Sequence, residues 1–143
     1  MTVRLFHASR LPRPARKPAL LKRAVLAALG PAARREGELN LVFLRRAAMR
    51  RLNRSYLGHD DDTDVIAFPY PKGGKGSPFG DVFVSLDRAR RQARDLGHPL
   101  LDEVLTLAIH GSLHLAGYRD HGPAERRRMF ARQDRVLRAV GHG

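Results

Sequence analysis

The segment from Leu101 to Ala116 is the most apolar helical stretch of the sequence, and it predicts a central helix that is buried on most of its sides. Gly117 ends this helix. Its apolar residues are Val104, Leu105, Leu107, Ala108, Ile109, Leu113 and Leu115. A helix of this kind needs other elements packed around it, so the fold is expected to be built about this segment.

The rest of the sequence supplies strands and further helices in mixed order. Strands are predicted at Thr2 to Phe6, Glu38 to Leu44, Val65 to Phe68 and Asp81 to Ser85. Helices are predicted at Pro18 to Leu29, Ala47 to Tyr56, Ser85 or Asp87 to about Leu96, and Pro123 to Val140. The fold class is therefore α+β, with a small mixed sheet of about four strands packed with about five helices. We expect a single domain over residues 1–143, and the pairing order of the strands stays open.

Composition narrows the classes of partner and of metal site. The chain has 27 Lys and Arg against 14 Asp and Glu, a formal net charge of +13, which favours a polyanionic partner such as nucleic acid. It has no cysteine, so any metal must be held by imidazole and carboxylate groups. No secretory signal pattern or membrane-spanning apolar run is found, and a cytoplasmic protein without a membrane partner is expected.

Residues His110 to His121 have the sequence HGSLHLAGYRDH. The spacing of its histidines and aspartate is typical of a metal site. His110 and His114 are four residues apart on a predicted helix, so their imidazoles lie on one face about one turn apart. Gly117 can turn the chain back, and either Asp120 or His121 then arrives as a third ligand. Three protein ligands leave one position open, as in a catalytic zinc site, and we predict one Zn²⁺ per chain.

The same segment resembles the hallmark HGxLHLxGYDH of the YbeY family of endoribonucleases, also called rRNA maturation factors. The match is HGSLHLAGY, His110 to Tyr118. A second family block, LNxxYRxxDxPTDVLSFP, is matched by Leu52, Asn53, Tyr56, Asp60, Thr63, Asp64, Val65, Phe68 and Pro69. A third, the GDI-type strand, is matched by Gly80, Asp81 and Val82. The similarity covers about Leu39 to Leu137.

The resemblance implies a zinc-dependent, single-strand-specific endoribonuclease. Its implied role is maturation of the 3′ end of small-subunit rRNA, with ribosome quality control, and its implied partners are an rRNA precursor and the small ribosomal subunit. His110 and His114 would then be the catalytic metal-binding pair. Arg54, Lys72, Lys75 and Arg119 are candidates for contact with RNA.

Two positions depart from the family pattern. Family members place a third histidine six residues after the second, where this chain has Asp120 with His121 next to it. Carboxylate is a competent zinc donor, and we favour Asp120 over His121. Leu57 stands where the pattern has an arginine implicated in activity, so Arg54 or Arg51 substitutes for it, or this branch of the family does without it.

Two further acidic residues have open roles. Glu103 lies two helical turns before His110 and could orient a ligand, accept a proton or form a plain salt bridge. Asp64 precedes an apolar strand and could bond His110 or cap a turn.

Two other functions compete with the nuclease. A non-catalytic rRNA- or ribosome-binding factor, in which the metal only braces the fold, suits the basic composition equally well. A zinc peptidase is disfavoured, because the metzincin helix carries glutamate after its first histidine and this chain has Gly111.

Overall fold

A mixed sheet of four strands runs through the part of the chain that the structure describes. The structure is a computed structural model, and it describes residues 1–58, 63–71 and 78–141. The strands are β1 (Thr2–Phe6), β2 (Glu38–Leu44), β3 (Val65–Pro69) and β4 (Pro78–Ser85). Their order is β1-β2-β4-β3, with β1 parallel to β2, β2 parallel to β4, and β3 antiparallel to β4.

Five α-helices accompany the sheet within the same ranges. They are α1 (Pro18–Leu29), α2 (Arg46–Leu57), α3 (Leu86–Leu96), α4 (Leu100–Leu115) and α5 (Pro123–Ala139). The predicted α+β class is confirmed, with short 3-10 segments added at Ala8–Arg10, Arg13–Ala15 and Gly30–Arg34. Each helix in the described ranges is too short or too polar to span a lipid bilayer.

Strand β4 is longer than the sequence predicted. It begins at Pro78 and not at Asp81, because its first residues pair with the start of β2 and the end of β3. Gly80 lies opposite Pro69 in the antiparallel ladder, and the amide of Tyr70 donates to the carbonyl of Phe79 at 3.1 Å. This pairing depends on a tertiary partner, which the local pattern of residues 78–80 does not show.

The core lies between one face of the sheet and the helices around α4. Leu39, Leu41 and Phe43 of β2 alternate toward this face and are fully buried. They belong to one apolar cluster with the buried residues of α1 and α4. Helix α4 contacts α1, α3 and α5 as well as β3 and β4, so the prediction of a buried central helix is confirmed.

Gly111 lets α4 approach the sheet closely. A Cβ atom at this position would lie 2.5 Å from Cγ1 of Val82 on β4 and 3.1 Å from Cγ2 of Val65 on β3. Such contacts leave no room for a side chain. Position 111 therefore fixes which face of α4 meets the sheet.

Candidate metal centre

Helix α4 presents two histidines side by side on its outer flank. The ring centroids of His110 and His114 are 4.8 Å apart, with the ring planes inclined at 81°. Both residues are half-buried, in contrast to the fully buried Ile109 and Leu113 next to them. The four-residue spacing thus places both imidazoles on one face of the helix, as the sequence predicted.

The chain turns back directly after α4. Gly117 has a φ of +104°, a backbone conformation that residues with a side chain rarely adopt. The amide of Tyr118 donates to the carbonyl of Leu113 at 3.0 Å, which closes the turn. Asp120 then returns to the histidines, and its Oδ2 lies 3.5 Å from Nε2 of His114.

His110, His114 and Asp120 together form a group that could hold a metal ion. One ligand atom from each residue lies within 4.8 Å of the other two, and all three residues are half-buried. Two donors on one tetrahedral zinc ion lie roughly 3.4 Å apart, close to the distance between His114 and Asp120. His121 is exposed and does not belong to this group.

Each histidine has its Nδ1 atom engaged by an oxygen. Nδ1 of His110 lies 3.0 Å from Oε1 of Gln133 on α5, and Nδ1 of His114 lies 3.1 Å from the backbone carbonyl oxygen of Tyr118. Sequence reasoning did not single out Gln133. The available signal was a polar residue between Met129 and Val136, on the face that the last helix was predicted to turn toward the core.

The surroundings of His114 lower its pKa and so favour its neutral form. Burial is the main cause that lowers its pKa, and the nearby His110 and, to a smaller extent, His121 lower it further. Asp120 and the carbonyl of Tyr118 oppose this shift, but they do not reverse it. A neutral imidazole has a free lone pair, so the surroundings favour the form that binds a metal.

Two acidic residues considered from the sequence have structural partners. Glu103 is buried, and its Oε2 lies 2.9 Å from Nε2 of His98, so it pairs there at the start of α4. Oδ2 of Asp64 accepts a hydrogen bond from Nε2 of Gln92 at 3.2 Å, and its carbonyl accepts one from the amide of Ser85. The partner of Glu103 is therefore His98, and Asp64 joins β3 to α3 and β4.

The candidate RNA-binding residues occupy separate places. Arg54 of α2 borders a cavity of about 560 Å³ that is also lined by Arg46, Ala47, Arg50 and Arg51. Arg119 is exposed on the turn before Asp120 and lines a smaller depression of about 260 Å³ with residues of α5. Leu57, at the position of the family arginine, is 51% exposed at the end of α2. Lys72 and Lys75, and Asp60 of the second family block, lie outside the described residues.

Comparison with known proteins agrees with the resemblance found in the sequence. The family model described as Endoribonuclease YbeY matches residues 16–141. An Endoribonuclease YbeY of Elusimicrobium minutum is 44% identical over 140 residues, which cover 96% of this chain and 98% of that protein. That of Chlorobium phaeovibrioides is 38% identical over 143 residues, 100% of this chain and 93% of that protein.

A solved structure has a similar fold. It is the solution structure of a Thermotoga maritima protein, with a TM-score of 0.64 and 22% identity over 97% of this chain and 89% of that one. At this identity the likeness concerns the fold alone. The family match and the close relatives over nearly the whole chain carry the assignment: this chain belongs to the YbeY family of endoribonucleases.

Proposed function

We propose that this chain is a zinc-dependent endoribonuclease that cuts single-stranded RNA and matures the 3′ end of small-subunit rRNA. In this proposal it acts in the cytoplasm on an rRNA precursor at the small ribosomal subunit and takes part in ribosome quality control. The observation that supports it is that His110, His114 and Asp120 lie close together in a chain of the YbeY family. Its relatives carry the name endoribonuclease.

The donor set fits zinc. Imidazole nitrogen and carboxylate oxygen are ordinary zinc ligands, and three of them form the usual protein share of a catalytic site. His110, His114 and Asp120 would hold the ion, with His121 as the alternate to Asp120. Because the three residues are only half-buried, the site stays accessible to a substrate phosphate.

When bound, zinc supplies Lewis acidity that activates the attacking oxygen and polarises the phosphoryl group. The protein residues provide the rest. His110 and His114 turn their Nδ1 atoms to Gln133 and Tyr118, which leaves Nε2 of each ring for the ion. Exposed arginines such as Arg119 would neutralise the phosphodiester beside the site.

The basic residues of α2 support an RNA substrate. Arg54 and Arg51 flank the cavity on α2, and the formal net charge of +13 favours association with a polyanion. Leu57 cannot clamp a phosphate, so we propose that Arg54 or Arg51 takes over this part of the family site.

A peptidase reading conflicts with the packing of α4. In zinc peptidases of the metzincin type a glutamate follows the first histidine and acts as general base. The equivalent position here is Gly111, which lies against Val82 and Val65 with no space for a side chain. A glutamate at this position would point into the sheet and not toward a substrate.

The test is cleavage of an rRNA precursor by protein purified without a histidine tag. Elemental analysis should find one zinc per chain, and a chelator should abolish cleavage until zinc is restored. His114→Ala should lose cleavage and keep most of its RNA affinity, which also shows that the variant folds. A single-stranded substrate should be cut and the matching duplex spared.

The same assay separates the enzyme from a binding factor. If the wild-type protein binds the precursor tightly but shows no metal-sensitive cleavage, the metal only braces the fold and the nuclease proposal is wrong.

A further inference from the structure

Gln133 is a buried polar residue that meets a candidate metal ligand from another helix. It lies on α5 with 7% of its surface exposed, and its Oε1 is 3.0 Å from Nδ1 of His110. Twenty-three residues separate the two in sequence. We propose that Gln133 is a positioning residue, which keeps the proton of His110 on Nδ1 and leaves Nε2 free to bind the metal. This inference rests on the zinc site proposed above.

The hydrogen-bond chemistry supports this role. An amide oxygen only accepts hydrogen bonds, so the ring nitrogen that faces it must carry the proton. A neutral imidazole has one proton on its two nitrogens, and the other nitrogen of His110 is then the one with the free lone pair. The contact therefore selects both the tautomer and the orientation of the ring.

His114 also has an oxygen facing its Nδ1, but this oxygen belongs to the backbone. Nδ1 of His114 faces the carbonyl oxygen of Tyr118 at 3.1 Å, and its Nε2 faces Asp120. The turn after α4 thus fixes His114 with backbone alone. His110 lies one turn earlier on the helix, and the oxygen that faces its Nδ1 comes from Gln133 on α5.

The packing of α5 holds the Gln133 side chain in place. Met129 and Val136, one turn before and about one turn after it, are buried against the core with 1% and 2% of their surfaces exposed. The ring of Phe130 lies 6.3 Å from the ring of His110. The bond between Gln133 and His110 is partly buried, which strengthens it relative to a bond in water.

A glutamate at position 133 gives a matched comparison. A carboxylate could accept the same Nδ1 proton, but it would add a negative charge to a group that already contains Asp120. Gln133 fixes the ring without that charge. A glutamate at this position should therefore preserve the tautomer, whereas an apolar residue of similar size should not.

The experiment measures zinc affinity and the histidine tautomer separately. Zinc affinity is determined by competition with a chromogenic chelator for the wild type, Gln133→Leu and Gln133→Glu. The control is Gln92→Leu, since Gln92 hydrogen-bonds Asp64 and is not a member of the metal group. Loss of a group that supports a metal ligand typically weakens metal binding about 10- to 100-fold. We expect this loss for Gln133→Leu, wild-type or tighter binding for Gln133→Glu, and no change for Gln92→Leu.

The tautomer is read from ¹⁵N chemical shifts of the imidazoles in metal-free protein at alkaline pH. We expect the proton of His110 on Nδ1 in the wild type and in Gln133→Glu, and a mixture of tautomers in Gln133→Leu. A proton on Nε2 in the wild type would overturn the proposal, as would unchanged zinc affinity in Gln133→Leu. If Gln133→Leu does not fold, the tautomer of His110 in the wild type and the zinc affinity of Gln133→Glu still test the role of Gln133.

The two proposals fail in different ways. A wild-type protein that binds no zinc would refute the zinc site, while the metal-free tautomer would still report whether Gln133 sets the proton of His110. Normal zinc binding with the wrong tautomer would refute only the role of Gln133.

Discussion

Nε2 of His114 and Oδ2 of Asp120 lie 3.5 Å apart, on either side of the turn that Gly117 makes after α4. This distance is long for a strong hydrogen bond, but it suits two donors of one metal ion. The carboxylate also offsets part of the effect of burial and of His110 on the pKa of His114. In the proposed zinc site, Asp120 would therefore serve at the position where the family pattern has a histidine.

The first prediction separates Asp120 from His121 as third ligand. Asp120→Ala should lose a direct donor, and zinc affinity should fall by more than the roughly 10- to 100-fold expected when a merely supporting group is removed. His121→Ala is the matched control, because His121 is exposed and outside the group. Both affinities are measured by chelator competition. A larger loss in His121→Ala than in Asp120→Ala would reverse the assignment.

The second prediction concerns the contact between Gly111 and the sheet. Gly111→Ala places a methyl group 2.5 Å from Cγ1 of Val82, so α4 or β4 must shift. Overpacking of this kind costs about 1–3 kcal/mol, and the free energy of unfolding should fall by this amount in urea. Since the histidines on either side depend on the placement of α4, zinc affinity should fall with it.

A double-mutant cycle checks the cause of that loss. Val82→Ala removes the methyl group that a Cβ at 111 would meet, so the cost of Gly111→Ala should be smaller in the Val82→Ala background. Additive effects would mean that the strain arises elsewhere, for example at Cγ2 of Val65, 3.1 Å from the added Cβ. Helix propensity acts in the opposite direction, since it favours alanine over glycine.

The paired histidines and the turn after them could be predicted from sequence because they depend on local geometry. Four-residue spacing on a helix places His110 and His114 on one face wherever that helix packs. Gly117 marks the turn because few other residues adopt a positive φ at low cost. The bounds of the strands and helices followed within about one residue from periodicity and from Pro and Gly signals, except for the start of β4.

The remaining features depend on contacts between distant parts of the chain. The sequence left Asp120 and His121 open because a shift of one residue in the turn exchanges them. It did not identify Gln133 as the partner of His110, since the packing of α5 on α4 decides that contact. Glu103 lies on a suitable helical repeat, but it pairs with His98 and not with the metal group.

The third prediction tests the basic cavity on α2 as part of the RNA site. Arg51→Ala and Arg54→Ala should each weaken binding of single-stranded RNA and lower the slope of log K against log salt concentration by about 0.7, the value for one lost contact on a single strand. The control is Arg4→Ala, since Arg4 lies on edge strand β1 and pairs with Glu38 at 3.0 Å. Equal effects for all three variants would indicate general attraction and no local site.

The fourth prediction concerns Tyr70 and Asp81, which lie side by side after β3 and on β4. The hydroxyl of Tyr70 donates to Oδ2 of Asp81 at 2.6 Å. This bond is the main cause that raises the pKa of Tyr70 from 10.0 to about 12, with burial and the negative charge of Asp81 acting in the same direction. Asp81→Asn should bring the pKa back toward 10, because the amide removes the charge and weakens the bond. The pKa is measured from tyrosinate absorbance during an alkaline titration. The part of the titration curve that is missing in Tyr70→Phe belongs to Tyr70.

The sign of the effect on stability follows from the direction of the shift. The folded protein holds the Tyr70 proton more tightly than the unfolded chain, so its contribution is complete below pH 10 and declines as the pH rises from about 10 to about 12. Between these values the wild type should lose stability more steeply than Asp81→Asn, whose Tyr70 keeps only the smaller upward pKa shift caused by burial and Tyr56. The free energy of unfolding is measured in urea at several pH values for both proteins. If it changed with pH in the same way in both, the assignment of the shift to Asp81 would be contradicted.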